Sequence, residues 1–271
     1  KGYQILNLYI KSGSDTGLFG AIEGVNANLR NIGLTGPLMN VEGYDNVGGL
    51  VGFALVGSSI NECYSTGEIT GRNNVGGLVG NLDYSAINNS FSTGSVTANG
   101  YVGSLLGSLH DSSVSNSFAT GRVSAKSISG IGGLIGYFPF DNDILNSHWA
   151  TDTTGQINSA GESEFDNYFG ATLAELQCPT ARDNTDDCVI SNTLYAGWDS
   201  SVWDFGTFEQ LPGLRIDGVV YRDIDGNGSL DSNLPPSVHL VLLQNGEQVS
   251  DITLGAGDVT LEAIVADADV N

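Results

Sequence analysis

Apolar positions over the first 155 residues fall into short β-prone runs cut by Gly, Asn and Ser, with no 3.6-residue period. The runs return in register. NVGGLVG at 46–52 recurs as NVGGLVG at 74–80, YVGSLLG at 101–107 and IGGLIG at 131–136. The step is 28 residues from Val47 to Val75, 27 to Val102 and 29 to Ile131. A second column reads INECYSTG at 60–67, INNSFSTG at 87–94 and VSNSFATG at 114–121, with ILNSHWAT at 144–151 as a degraded copy. A third reads EIT at 68–70, SVT at 95–97 and RVS at 122–124. TGLFG at 16–20 with LRNIGLTG at 29–36 is a looser, earlier copy. ILNLYI at 5–10 reads as a second column without its first, as if the sequence opened within a coil.

Three short strands per unit of constant length fit one turn of a solenoid, each turn burying its apolar face only against its neighbours. Stacked turns about 4.8 Å apart place equivalent residues above one another. The expected aliphatic ladders are Val47, Val75, Val102 and Ile131; Ile60, Ile87, Val114 and Ile144; and Ile69, Val96 and Val123. Tyr64, Phe91, Phe118 and His148 form an aromatic column, which makes His148 a packing residue. Asn89, Asn116 and Asn146 share a register suited to an amide ladder. Cys63 falls in the column of Ser90, Ser117 and Ser147, where a small buried group is wanted.

The unit G-G-L-V-G followed by N-x-[CS]-[YF]-x-T-G resembles the GLUG motif over about residues 15–155. That motif occurs in bacterial surface proteins, including filamentous-haemagglutinin-like adhesins and non-catalytic parts of secreted peptidases. The resemblance implies a cell-surface parallel β-helix and says little about a ligand.

The period is lost after about residue 155. Residues 156–215 read as a cap over the coil end, with TLAE at 172–175 opening a short helix. The cap aromatics are Tyr195, Trp198, Trp203, Phe205 and Phe208, and a carbohydrate-stacking platform is their second reading. Cys178 and Cys188 flank a short polar loop. A disulfide between them would contribute roughly 2.5–3 kcal/mol, and two free thiols are the alternative. DIDGNGSLD lies in a linker over 216–234, with oxygen ligands on alternate residues: Asp223, Asp225, Asn227, Ser229 and Asp231. This is most of a calcium loop, with Leu234 where an EF-hand has its bidentate Glu, and it resembles shorter dockerin-like loops. The implied cofactor is Ca2+. Residues 235–271 carry strand-like runs at 238–243 and 259–267, the start of an immunoglobulin-like or PKD-like sandwich. The expected fold is therefore all-β: a parallel β-solenoid of about five coils over 1–155, a cap, a linker and a partial sandwich.

Composition narrows the function. The 271 residues include 38 Gly, and 31 acidic against 9 basic residues give a net charge of −22. Such a chain repels nucleic acid and anionic membranes. No run approaches the ~18 unbroken apolar residues of a membrane helix. A catalytic set is not evident: Glu62, Glu68 and Asp83 do not recur, Arg72, Arg122 and Lys126 sit in different registers, and no metalloprotease, serine-elbow or phosphate-loop motif occurs. Thr66, Thr93 and Thr120 stack, as do Thr70, Thr97 and Ser124. These ladders are too short to suggest an ice-binding face. The reading is a non-enzymatic structural or adhesive segment of an extracellular bacterial surface or filament protein. Its expected partners are copies of itself, neighbouring domains and cell-surface glycans.

Overall fold

The computed structural model describes residues 3–126, 130–139, 142–161, 170–177, 194–205, 210–216, 219–221, 223, 238–244 and 247–254. One full turn of the solenoid comprises Tyr64–Ser65, Glu68–Thr70, Asn73–Gly76, Val79–Asp83 and Ala86–Asn88. A turn thus has five short strands, not the three expected from the columns. The glycine pair at 76–77 bends the first column, so that Asn73–Gly76 and Val79–Asp83 join different sheets. The second column is split in the same way by the residue between Ile and the aromatic position.

Five parallel sheets result, here lettered A to E in chain order from Tyr64–Ser65 to Ala86–Asn88. Sheet A stacks six strands, sheets B, D and E five each, and sheet C four. The chain makes about five turns. Register follows the columns. Val47, Val75, Val102 and Ile131 pair in sheet C. Leu29, Ile60, Ile87, Val114 and Ile144 pair in sheet E. Ile10, Val41, Ile69, Val96 and Val123 pair in sheet B. Leu50, Leu78, Leu105 and Leu134, the leucines of the repeated signature, complete a single core along the axis.

The corners explain the punctuation. Asn31, Glu62, Asn89, Asn116 and Asn146, between sheets E and A, all have left-handed φ from 46° to 59°. Asn tolerates this region better than other side chains. These residues are corner formers, and the side-chain ladder expected of Asn89, Asn116 and Asn146 runs one residue earlier, through Asn61, Asn88 and Ser115, with Asn28 joining it from two residues off register. Asn61 donates to Asn28, Asn88 donates to Asn61, and the Ser115 hydroxyl donates to Asn88. At the bend between sheets C and D the two walls of the coil nearly touch. A Cβ on Gly77 would lie 2.0 Å from Ser92 Oγ, and one on Gly49 would lie 2.3 Å from Ser65 Oγ.

The coil closes after residue 148. Trp149 takes the inward position that Ser65, Ser92 and Ala119 hold in earlier turns, filling the space beside Gly133. Its indole donates to the Gln156 carbonyl. Ser159 O accepts from the Leu134 and Ile135 amides, and Ala160 bridges Ile135. Helix α1, Thr151–Thr154, and helix α2, Leu173–Leu176, follow. α2 begins with the expected capping box of Thr172 and Glu175. Farther on, Val238–Gln244 pairs antiparallel with Glu247–Leu254 and lies beside Tyr3–Leu6 of the first turn. The partner of the first C-terminal strand is therefore 247–254. The expected strand at 259–267 is outside the described residues. Asn-Gly at 245–246 is the two-residue signature that joins hairpin strands.

Candidate functional site

The aromatic column faces outward. Tyr64 and Phe91 stack with centroids 4.9 Å apart and planes 6° apart, and Phe91 and Phe118 follow at 5.1 Å and 8°. Sheet A pairing brings His148 into the same column. At the other end Gly33 takes the position, and the Tyr64 ring lies across its bare backbone. The outer side of sheet A thus carries a continuous apolar stripe.

The described residues within 194–221, namely 194–205, 210–216 and 219–221, cover that stripe as a strap. Trp198 packs on Phe118 and His148, Trp203 on Phe91 and Phe118, and Tyr221 on Tyr64. Strands Trp203–Asp204, Gly213–Ile216 and Val219–Tyr221 form a small antiparallel sheet. Arg215 pairs with Asp204 on its outer side. Polar tips are satisfied at the seam. Trp203 Nε1 donates to Asn89 Oδ1, Trp198 Nε1 to Asn146 O, and the Tyr195 hydroxyl to Leu176 O. His148 Nε2 lies 2.6 Å from Leu194 O, which requires the proton on that nitrogen.

This segment differs from the expected end cap: residues 150–161 and 170–177 close the coil end, and the strap clads its flank. Tyr195, Trp198, Trp203 and Phe205 are all buried, so their faces are not available to stack on a sugar. Phe208 lies outside the described residues. The sequence did contain a signal for the outward aromatics. Ser65, Ser92 and Ala119 follow them, and small residues opposite a glycine pair leave no interior room for large rings next door.

Cys63 behaves as its column requires. Its thiol donates to Asn61 O, just as Ser90, Ser117 and Ser147 donate to the carbonyl two residues back. The Cys63 amide donates to Ser90 Oγ, and the Ser90 and Ser117 amides continue the ladder. Burial pushes the thiol up to about 12. Thr66, Thr93 and Thr120 are buried, whereas Thr97 is exposed. Glu62 pairs with Arg30, and Asp45 pairs with Arg72, which holds the Asp45 carboxyl below its ordinary value. Of the five calcium-loop ligands only Asp223 is among the described residues, and it is buried. Asp225, Asn227, Ser229, Asp231, Cys178 and Cys188 lie outside them. Among the described residues no three His, Cys, Asp or Glu groups gather to hold a metal, and no helix is long and apolar enough to cross a membrane.

Comparison with family models matches the GLUG motif three times, at residues 43–70, 71–97 and 98–124. Each match runs from sheet C round to sheet B, one complete turn. Over this span the chain carries three GLUG repeats, and the repeats build the β-solenoid. The first turn and the closing turn share the fold outside the matched span. No curated protein and no solved structure matches the chain.

Proposed function

We propose that the chain is a stiff, adhesive segment of a bacterial extracellular surface or filament protein, without catalytic activity. The observation that carries this reading is the unbroken stacking. Five sheets and one core run the length of the coil, and a strap ties the third turn to the last. Stability in such an array arises between neighbouring turns, so the structure resists extension along its whole length. The expected calcium loop follows the strap directly. Alternating oxygens at Asp223, Asp225, Asn227, Ser229 and Asp231 suit a hard cation, and Asp223 is held at the packed end of the strap. Calcium there would stiffen the junction to the C-terminal hairpin. The partners expected of this reading are neighbouring domains, further copies of the chain and surface glycans.

Pulling single molecules by their ends tests the mechanical part. Each turn released should add about 90 Å of contour, from about 27 residues at up to ~3.6 Å each. With calcium present a further, early event should appear and be absent in Asp225→Ala. Extension in one low-force step would refute the stiff-rod reading. Beads coated with the folded protein that attach to cell surfaces no better than albumin-coated beads would remove adhesion and leave the spacer.

A further inference from the structure

The inward columns of this solenoid repeat chemically, whereas the outward ones, the aromatic column apart, vary from turn to turn. Read turn by turn, the outward line at the start of sheet B is Tyr9, Asn40, Glu68, Ser95 and Arg122, placed in register by the pairing of their strands. It holds an aromatic ring, an amide, a carboxylate, a hydroxyl and a guanidinium. All five line one groove of about 760 Å³ that follows the rod.

The groove exists because of its backbone. Its floor is Gly67 and Gly94, where a Cβ on Gly94 would come within 1.8 Å of Gly67 O. One wall is Gly36–Met39, standing where later turns have a single glycine, with Met39 seated over Gly67. Tyr9 is 53% exposed at one end. At the other end Arg122 is exposed, and among the described residues it makes no ion pair. Lys11 is paired with Glu42. In a chain of net charge −22, the groove is lined by one acid, Glu68, and one base, Arg122, so it is locally neutral with its positive charge at one end. Charges elsewhere on the rod act weakly here, because the screening length is about 8 Å at physiological salt.

We infer that this groove binds an extended oligosaccharide bearing a carboxylate. One polar group is offered per turn, about 4.8 Å apart, close to the advance of one pyranose along a linear glycan. The exposed Tyr9 ring presents a face to a sugar, and Asn40, Glu68 and Ser95 meet hydroxyls. Arg122 holds the acid. This gives the adhesive reading a ligand class and rests on that reading only for the biological role. The binding can be tested without it.

Titration calorimetry of the folded chain with a 1,4-linked uronic-acid hexamer, a neutral hexose hexamer and a hexaglutamate peptide provides the test. The uronate should bind best. Arg122→Gln should weaken it at least about tenfold, as loss of a charged hydrogen bond does, and leave the neutral sugar unchanged. Tyr9→Ala should weaken both sugars. Ser95→Trp, a substitution at an exposed site, should block the groove, while Arg30→Gln on sheet E should change nothing. Equal binding of hexaglutamate, equal effects of Arg30→Gln and Arg122→Gln, or no uronate binding at millimolar concentration would each overturn the inference. Uronate binding without bead attachment would retain the site and reject adhesion.

Discussion

Position 56 shows how much each corner asks of a single residue. The bend between sheets D and E is left-handed in successive turns, at Gly24, Val56, Tyr84 and Asp111. Val56 adopts φ 44° and is half exposed, so a β-branched side chain is strained there with little packing in return. Val56→Asn should raise stability by about 1 kcal/mol, since asparagine visits this region readily, and chemical denaturation would measure it. Cys63 gives a prediction with a sign. Its thiol ionises at about 12 in the folded chain against an ordinary 9.0. Stability is therefore intact below the unfolded thiol's range and declines as pH rises from about 9 towards 12, because only the unfolded chain gains the thiolate. Tyr64 and Tyr195, raised by burial, push in the same direction at higher pH. Cys63→Ser, matching the column, should fold normally at neutral pH and lose the earliest part of this alkaline slope. Unchanged alkaline unfolding in that variant would remove the thiol from the account.

At the scale of elements, the strap is the structure's second core. Trp203 is fully buried between Phe91, Phe118 and Trp198, and its indole is bonded to a corner asparagine. Trp203→Ala should cost about 3–5 kcal/mol and expose the aromatic stripe, read as increased binding of an apolar dye before global unfolding. A variant with native stability and no dye binding would show that the strap is dispensable. The ladders were legible in sequence because stacking turns the repeat into a register: Val47 over Val75, Ile60 over Ile87 and Ile69 over Val96 need only a constant period. The direction of the aromatic column was not legible in the same way. Side-chain alternation holds along a straight strand, and the left-handed residue at Glu62, Asn89, Asn116 and Asn146 resets it. The split of three columns into five strands was hidden for a related reason, since a glycine pair inside an apolar run can mark either a flat strand or a bend. The groove leaves no trace in the period because its line of residues does not recur from turn to turn.

For the whole molecule, the consequence lies in the span of the strap. It touches Tyr64 at one end and His148 at the other, and Gly33 ends the stripe below Tyr64. A repeat protein ordinarily changes length freely, because each unit sees only its neighbours. Here the interval from the third turn to the last is gauged by a fixed length of chain laid alongside it. An added repeat within that interval would leave an aromatic ring uncovered and pull the strap out of phase, whereas one added before Gly33 would leave the strap in register with the aromatic stripe and shift only the contact of Val238–Gln244 with the first turn. The strap acts as a ruler for the turns between Tyr64 and His148.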